Sequence, residues 1–247
     1  MLSAECRWKR SLSAQHSALP SGLQLGRMSD PIDRAVLLGV PLFPLPNVVL
    51  FPRAVLPLHV FEERYKAMTA DALRGQRQVA MALLKPGWER NYHGRPAIEP
   101  IVCVGTILTH ERLSDGRYNF LLQGHTRARV VREYGEASYR VAELEPLHET
   151  PSLEIDLSEE RRRLTDLFEQ SGLAALSLGR RFRELLSSSV ATAHVADLIA
   201  FNFLDDIELK QELLADGDVR RRVNRVIGSL ELVQSALQAA QGAMPAQ

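Results

Sequence analysis

Two aromatic side chains in a long irregular segment are the first candidates for binding chemistry. Trp88 and Tyr92 lie between Pro86 and Pro100, where the alternating and the helical hydrophobic patterns both stop. Irregular segments of this length in compact domains are often binding loops, so the sequence predicts that both rings contact a partner. The alternative interpretation is that the rings turn inward and cap the hydrophobic core.

Two arginines in a predicted strand are the second candidate. Arg127 and Arg129 are separated by one residue, and alternate residues of a strand point to the same face of a sheet. The spacing predicts a shared basic face that binds a partner. The alternative is that this face is only exposed to solvent.

The sequence lacks the motifs of several enzyme classes. A P-loop requires a Gly-Lys pair around the phosphates, but every lysine follows another residue type, in the pairs Trp8-Lys9, Tyr65-Lys66, Leu84-Lys85 and Leu209-Lys210. No H-E-x-x-H zinc motif or G-x-S-x-G nucleophile motif occurs. Cys6 and Cys103 do not have the spacing of zinc ligands. We therefore predict no catalytic residue, no metal site and no cofactor.

The overall composition limits the classes of partner and the cellular location that we expect. The 247 residues include 30 basic and 30 acidic residues, so no global field attracts nucleic acid, and a nucleic-acid partner is not expected. No apolar run approaches the ~18 residues of a membrane helix, which argues against a membrane partner. Two cysteines do not make a disulfide framework, and a cytoplasmic location is expected.

A proline-rich stretch and a helix open the half of the chain that must position these candidates. Prolines divide the apolar runs between Pro41 and Pro57, which predicts short strands at edges and bends. A helix over 62–74, ending near Gly75, follows from apolar residues at helical spacing. These residues are Phe61, Tyr65, Met68 and Ala72.

The same half contains a series of strand patterns. Strands are predicted over 36–40, 78–85, 101–113, 118–122, 124–131 and 139–147. The 78–85 run is apolar on both alternating faces, as in a strand buried from both sides. Asp115-Gly116 predicts a β-hairpin, Gly105 predicts a bulge or a sharp barrel corner, and Gly124 predicts a turn into the next strand.

The hydrophobic period changes from two to about 3.6 after Pro151, which predicts a helical half. A helix over 193–204, capped by Thr192, is apolar nearly all round and belongs in the middle of a bundle. Asp218 is the expected cap of a last helix. That helix carries a heptad seam formed by Val219, Val223, Val226, Leu230, Val233 and Leu237. The pattern is compatible with packing on the preceding helices and with pairing to a partner helix. A basic turn, expected to be solvated, comprises Arg220, Arg221, Arg222 and Arg225.

Several stretches resemble the N-terminal, substrate-binding domain of the ATP-dependent Lon proteases, and most of all the stand-alone bacterial form of that domain. They read “HVFEERYKAM”, “CVGTIL”, “YNFLLQGHTRARV” and “HVADLIAFNFLDD”. The resemblance implies an α+β fold, with a PUA-like β pseudo-barrel and one packed helix over 35–150, followed by a C-terminal α-helical bundle over 151–241. Residues 1–34 are interpreted as a disordered or non-native tail, and 242–247 as a short tail.

The resemblance also implies a function. It predicts a non-catalytic protein-binding module that holds unfolded or flexible polypeptide segments and acts as an adaptor for a separate protease. An RNA-binding PUA-like protein is one alternative, and a small-molecule hydrolase, for which no constellation of residues is found, is another. The oligomeric state is left open.

Overall fold

Six strands form one mixed sheet that closes on itself. The computed structural model describes residues 36–135, 138–170, 173 and 177–242. The strands are β1 (Leu37–Leu45), β2 (Val55–Val60), β3 (Gln78–Leu83), β4 (Ile101–Arg112), β5 (Tyr118–Tyr134) and β6 (Arg140–Pro146). Their order is β2-β5-β4-β3-β1-β6, and β6 also pairs with β5. The added pairing closes a ring of β5, β4, β3, β1 and β6, as the predicted barrel requires, and β2 extends this ring by pairing with β5.

The long strand β5 makes this closure possible. Its first part pairs with β2 from Tyr118 to Gln123, and its last part pairs with β6 from Ala128 to Tyr134. Gly124 lies inside this continuous strand, so the predicted turn at Gly124 is wrong. The physical reason for a glycine is close approach, because a Cβ atom there would lie 2.3 Å from the carbonyl oxygen of Phe51.

Two prolines that were expected to interrupt strands lie within β1, so that expectation is wrong. Pro41 follows a bulge in the β1–β6 pairing between Leu37 and Val40, and bulges tolerate proline. Pro44 lies beyond Leu42, where the pairing with β6 ends, and pairs only with β3 at Ala82. Since β6 does not pair with β1 at Pro44, the missing N–H group of this proline removes no hydrogen bond between the two strands.

Strand β3 is buried on both faces, which confirms the prediction from its unbroken apolar run. Ala80 and Ala82 point into the barrel, where they pack with residues such as Val102 and Val104. Val79, Met81 and Leu83 belong instead to the larger core that includes the helices. The hairpin at Asp115-Gly116 and the irregularity beside Gly105 are confirmed as well.

One helix packs on the barrel within the first half of the chain. Helix α1 (Glu63–Arg74) buries Tyr65, Met68, Thr69 and Ala72 and ends at Gly75. Phe61 precedes this helix and is 47% exposed, because Glu62 is the extended N-cap residue. The assignment of Phe61 to the apolar helical stripe is therefore wrong.

The remaining described helices pack around a buried central one. They are α2 (Ser158–Gln170), α3 (Gly179–Leu186), α4 (Thr192–Phe203), α5 (Ile207–Ala215) and α6 (Val219–Gly242). Helix α4 contacts α3, α5 and α6, as its apolar composition predicts. Its N-cap is Ala191 rather than Thr192, because the Glu154 carboxylate accepts hydrogen bonds from both the N–H and the hydroxyl of Thr192.

The last helix joins the same core as the barrel. Asp218 caps it by accepting a hydrogen bond of 3.0 Å from the N–H of Arg221, as predicted. The seam residues Val219, Val223, Val226 and Leu230 are buried within the chain. Barrel and helical residues share one hydrophobic cluster, and the described residues belong to one compact unit. The boundaries of the two subdomains remain a prediction, and residues 1–34 and 243–247 lie outside the described residues.

Gly124→Ala should destabilise the protein, while the same change at Gly228 should stabilise it. At Gly124 the new methyl group would overlap the Phe51 carbonyl oxygen, and such overpacking costs about 1–3 kcal/mol. Gly228 lies within helix α6 with open space around it, so alanine should add about 0.5–1 kcal/mol there. Urea denaturation of both variants measures the difference, and equal effects would contradict the close approach at Gly124.

Candidate functional site

A cleft lies where the 86–100 loop meets helix α1 and the start of β6. Its volume is about 240 Å³. Its walls combine aromatic rings, proline rings and basic groups. The lining residues are Pro44, Arg64, Tyr65, Leu84, Tyr92, His93, Gly94, Arg95, Pro96, Ser138, Tyr139 and Arg140. The loop that the sequence singled out therefore forms one wall of this cleft.

The base of the loop is held by backbone hydrogen bonds. The N–H of Lys85 donates to Ala97 at 2.9 Å, and the N–H of Glu99 donates to Leu83 at 2.8 Å. Gly87 adopts a φ of 86°, a value that favours glycine, and so turns the chain into the short 3₁₀ helix Trp88–Asn91. The loop thus leaves the end of β3, and hydrogen bonds between its two ends hold it in place.

Tyr92 is fixed against the beginning of helix α1. Its hydroxyl donates a hydrogen bond to Glu62, and the Arg64 guanidinium lies 4.8 Å from its ring centroid. Arg64 Nη1 also donates to the carbonyl oxygen of Tyr92 at 3.2 Å. Trp88 meets the Tyr92 ring edge-on, with centroids 5.4 Å apart, and is half-buried. The structure therefore brings the two predicted aromatic residues together, with Tyr92 in the cleft wall and Trp88 beside it.

The tyrosine hydroxyls of the cleft act as donors at neutral pH. Burial raises the pKa of Tyr65 to about 12. Burial, followed by the hydrogen bond to Asp71, raises the pKa of Tyr139 to about 12, and the Tyr139 hydroxyl lies 2.7 Å from Asp71 Oδ2. These groups can orient a bound molecule, but they stay protonated and do not serve as bases.

The two candidate arginines do not share an exposed face, which corrects the expectation from their spacing. Arg129 is exposed, whereas Arg127 is only 4% exposed. Arg127 Nη2 lies 2.6 Å from Asp197 Oδ1, and Arg127 Nη1 lies 3.1 Å from Glu149 Oε1. The helices cover this part of β5, so the Arg127 guanidinium is enclosed between the barrel and α4. No basic binding face forms from this pair.

Arg222 corrects the expectation that the basic turn is solvated throughout. It is 1% exposed, with Nε 3.1 Å from Asp197 Oδ1 and Nη2 2.7 Å from Glu149 Oε1. The sequence held a signal for this burial. Arg222 follows Val219 by three residues and precedes Val226 by four, so it lies on the buried side of the helix.

Cys103 is not a reactive nucleophile in the folded chain. It is free and buried, and burial raises the pKa of its thiol to about 12. Within the described ranges, no group of three or more His, Cys, Asp or Glu side chains has the arrangement of a metal site. None of the described helices combines the length and the apolar character needed to cross a membrane.

The arrangement of barrel and helices has counterparts among solved structures. The N-terminal domain of a Lon protease of the Mycobacterium avium complex has a TM-score of 0.61 at 17% identity. The Lon N-terminal domain protein from Xanthomonas campestris has a TM-score of 0.54 at 22% identity. Each match covers 78% of this chain and 98% of the other. The chain therefore has the α+β fold of Lon N-terminal domains.

The sequence match identifies the family. Residues 39–231 match the family described as the ATP-dependent protease La (LON) substrate-binding domain, and the chain belongs to this family, as the resemblance predicted. Lon protease 2 of Myxococcus xanthus is 29% identical over 199 residues, and the Lon protease of Dictyoglomus thermophilum is 29% identical over 194 residues. Each alignment covers 76% of this chain and 23% of the relative, so the chain spans about a quarter of their length.

Arg127→Ala should destabilise the fold far more than Arg129→Ala. Removing Arg127 leaves Asp197 short of one of its two cations in a buried site, and breaking such a pair costs about 3–5 kcal/mol. Arg129 is exposed, so its truncation should change stability by no more than about 0.5 kcal/mol. Chemical denaturation of both variants provides the measurement, and similar losses would show that the buried ion pairs are not the stabilising contact.

In a Cys6→Ser variant, the remaining Cys103 thiol should resist modification in the native state. The thiolate is the reactive form, and both burial and the raised pKa suppress it. The rate of reaction with an aromatic disulfide reagent should therefore follow the rate of unfolding as urea is added. Rapid modification without urea would contradict the burial of Cys103.

Proposed function

We propose that this protein binds flexible or unfolded polypeptide segments without transforming them, and that the cleft under the 86–100 loop is the binding site. The observation that carries the proposal is the contact between Trp88 and Tyr92, of which Tyr92 lines the cleft, in a chain of the LON substrate-binding domain family. A half-buried aromatic pair beside a concave site is a surface suited to apolar side chains.

The volume of the cleft limits the size of the ligand group that it can hold. Its volume of about 240 Å³ is below the ~300–1,000 Å³ of sites that enclose drug-sized ligands. It suits one or two side chains of an extended segment, with the remainder of the segment crossing the surface. Folded proteins keep most large apolar side chains inside, so a site of this kind favours clients that are locally unfolded.

The partner of this activity would be a protease. Curated relatives of the chain are Lon proteases, and the chain aligns with about a quarter of their length. We propose that the domain presents captured segments to proteolysis as an adaptor. We also propose a cytoplasmic setting, which agrees with the unpaired buried thiol of Cys103.

Trp88→Ala should weaken client binding by about tenfold, which corresponds to ~1.4 kcal/mol, while the melting temperature stays nearly unchanged. The reason is that the Trp88 ring contacts Tyr92 at the loop surface and does not belong to the hydrophobic core. Leu232→Ala is the matched control, because Leu232 is also an exposed apolar residue, at 74%, but lies on helix α6.

Fluorescence polarisation with a labelled client, reduced and capped with a neutral alkylating group so that it stays unfolded, measures both affinities. A labelled RNA oligonucleotide is the competing ligand. Equal affinities of the Trp88 and Leu232 variants would contradict the site, and a fall in melting temperature of several degrees would show that Trp88 is structural. Binding of RNA but not of the client would contradict the function.

A further inference from the structure

The charges that line the cleft are of one sign. Arg64, Arg95, Arg140 and His93 contribute to its walls, and no aspartate or glutamate is among the described residues that line it. The chain as a whole is neutral, with 30 basic and 30 acidic residues. A basic cleft in a neutral protein is a local feature, and its cause lies in the partners of the individual guanidinium groups.

Two of the three guanidinium groups form ion pairs with carboxylates that do not line the cleft. Arg140 forms a bidentate ion pair with Glu133, in which Nε lies 2.7 Å from Oε2 and Nη2 lies 2.6 Å from Oε1. Its Nη1 atom donates to the carbonyl oxygen of Pro96 at 2.7 Å. Arg64 lies 3.0 Å from Glu62 Oε2. These two arginines therefore shape the cleft and carry little net charge.

Arg95 differs because its described partners are neutral. Its Nη1 and Nη2 atoms donate to the carbonyl oxygens of Tyr134 and Gly135, both at 3.0 Å, and no carboxylate among the described residues forms an ion pair with it. These two bonds hold the guanidinium in place without cancelling its charge.

Apolar and aromatic groups line the same cleft as Arg95. The rings of Tyr65 and Tyr92 lie against the Arg64 guanidinium, at 4.6 and 4.8 Å, and Pro44 and Leu84 complete the wall. Such surroundings exclude water from a bound anion and strengthen its hydrogen bonds. The site is thus built for a group that combines a negative charge with an adjacent apolar side chain.

We propose that the cleft recognises a carboxylate on the bound polypeptide, held by Arg95, next to an apolar or aromatic residue. A C-terminal α-carboxylate and an aspartate or glutamate side chain share this chemistry. The inference rests on the proposed function, since it names the class of segment that the same site selects. Nucleic acid fits less well, because its binding requires many phosphate contacts, and Arg95 is the one arginine among the described lining residues that has no carboxylate partner.

The test uses the full chain and labelled short peptides of one apolar sequence. One peptide has a free C-terminus, a second is amidated, a third is amidated with an internal aspartate, and a fourth is amidated with asparagine at that position. Wild type is compared with Arg95→Gln and with the control Arg90→Gln, because Arg90 is exposed in the same loop and does not line the cleft.

We expect a carboxylate peptide to bind about tenfold more tightly than its neutral counterpart, the scale of a charge-assisted hydrogen bond. Arg95→Gln should abolish this preference, and Arg90→Gln should keep it. Preference for the free C-terminus over the amide identifies the α-carboxylate as the source, and preference for aspartate over asparagine identifies the side chain.

Two results would overturn the inference in different ways. Equal binding of all peptides, still reduced by Trp88→Ala, would refute carboxylate recognition and leave the proposed function intact. Binding of no peptide by a folded protein, with a circular dichroism spectrum of mixed helix and strand, would refute both. An equal loss in the Arg95 and Arg90 variants would assign the preference to general charge and overturn the role of Arg95.

Discussion

The buried carboxylate of Asp197 is the contact on which the arrangement of barrel and helices depends. Asp197 is 1% exposed, in the middle of helix α4, and its Oδ1 atom meets Arg127 from β5 and Arg222 from α6. Glu149 joins the same two arginines, so two carboxylates balance two guanidinium groups. A charge without its partner in such a site costs several kcal/mol. These ion pairs therefore link the barrel strand, the central helix and the last helix in the folded chain.

Strand β5 connects the buried ion pairs to the cleft, because it contributes contacts to both. It contributes Arg127 to the buried network and Tyr134 to the position of Arg95. The neighbouring strand β6 begins with Arg140, which lines the cleft and holds the loop at Pro96. The 86–100 loop therefore stands on strands whose registers are fixed by barrel closure. A loop on a rigid frame can present side chains without losing much conformational freedom on binding.

The sequence predicted what local rules decide and missed what distant contacts decide. Apolar alternation in 78–85 and the cap at Asp218 follow from period and residue type alone, and both were confirmed. The burial of Arg127 depends on Asp197, seventy residues away, and no local pattern reports that partner. Gly124 likewise reflects the Phe51 carbonyl oxygen. For the cleft, loop length and ring type pointed to Tyr92, but its anchors Glu62 and Arg64 appear only in three dimensions.

If the cleft is the proposed binding site, its dimensions also limit how tightly it would hold a single segment. Burial of roughly 100 Å² of apolar surface contributes ~2.5 kcal/mol, and a charge-assisted hydrogen bond adds ~1.5–3 kcal/mol. Association itself costs at least ~4 kcal/mol, so one segment alone is held weakly. An unfolded chain offers many such segments in succession, which raises its effective concentration at the cleft. Weak individual contacts with many repeats would favour extended clients over folded ones and allow each segment to leave, as delivery to a protease requires.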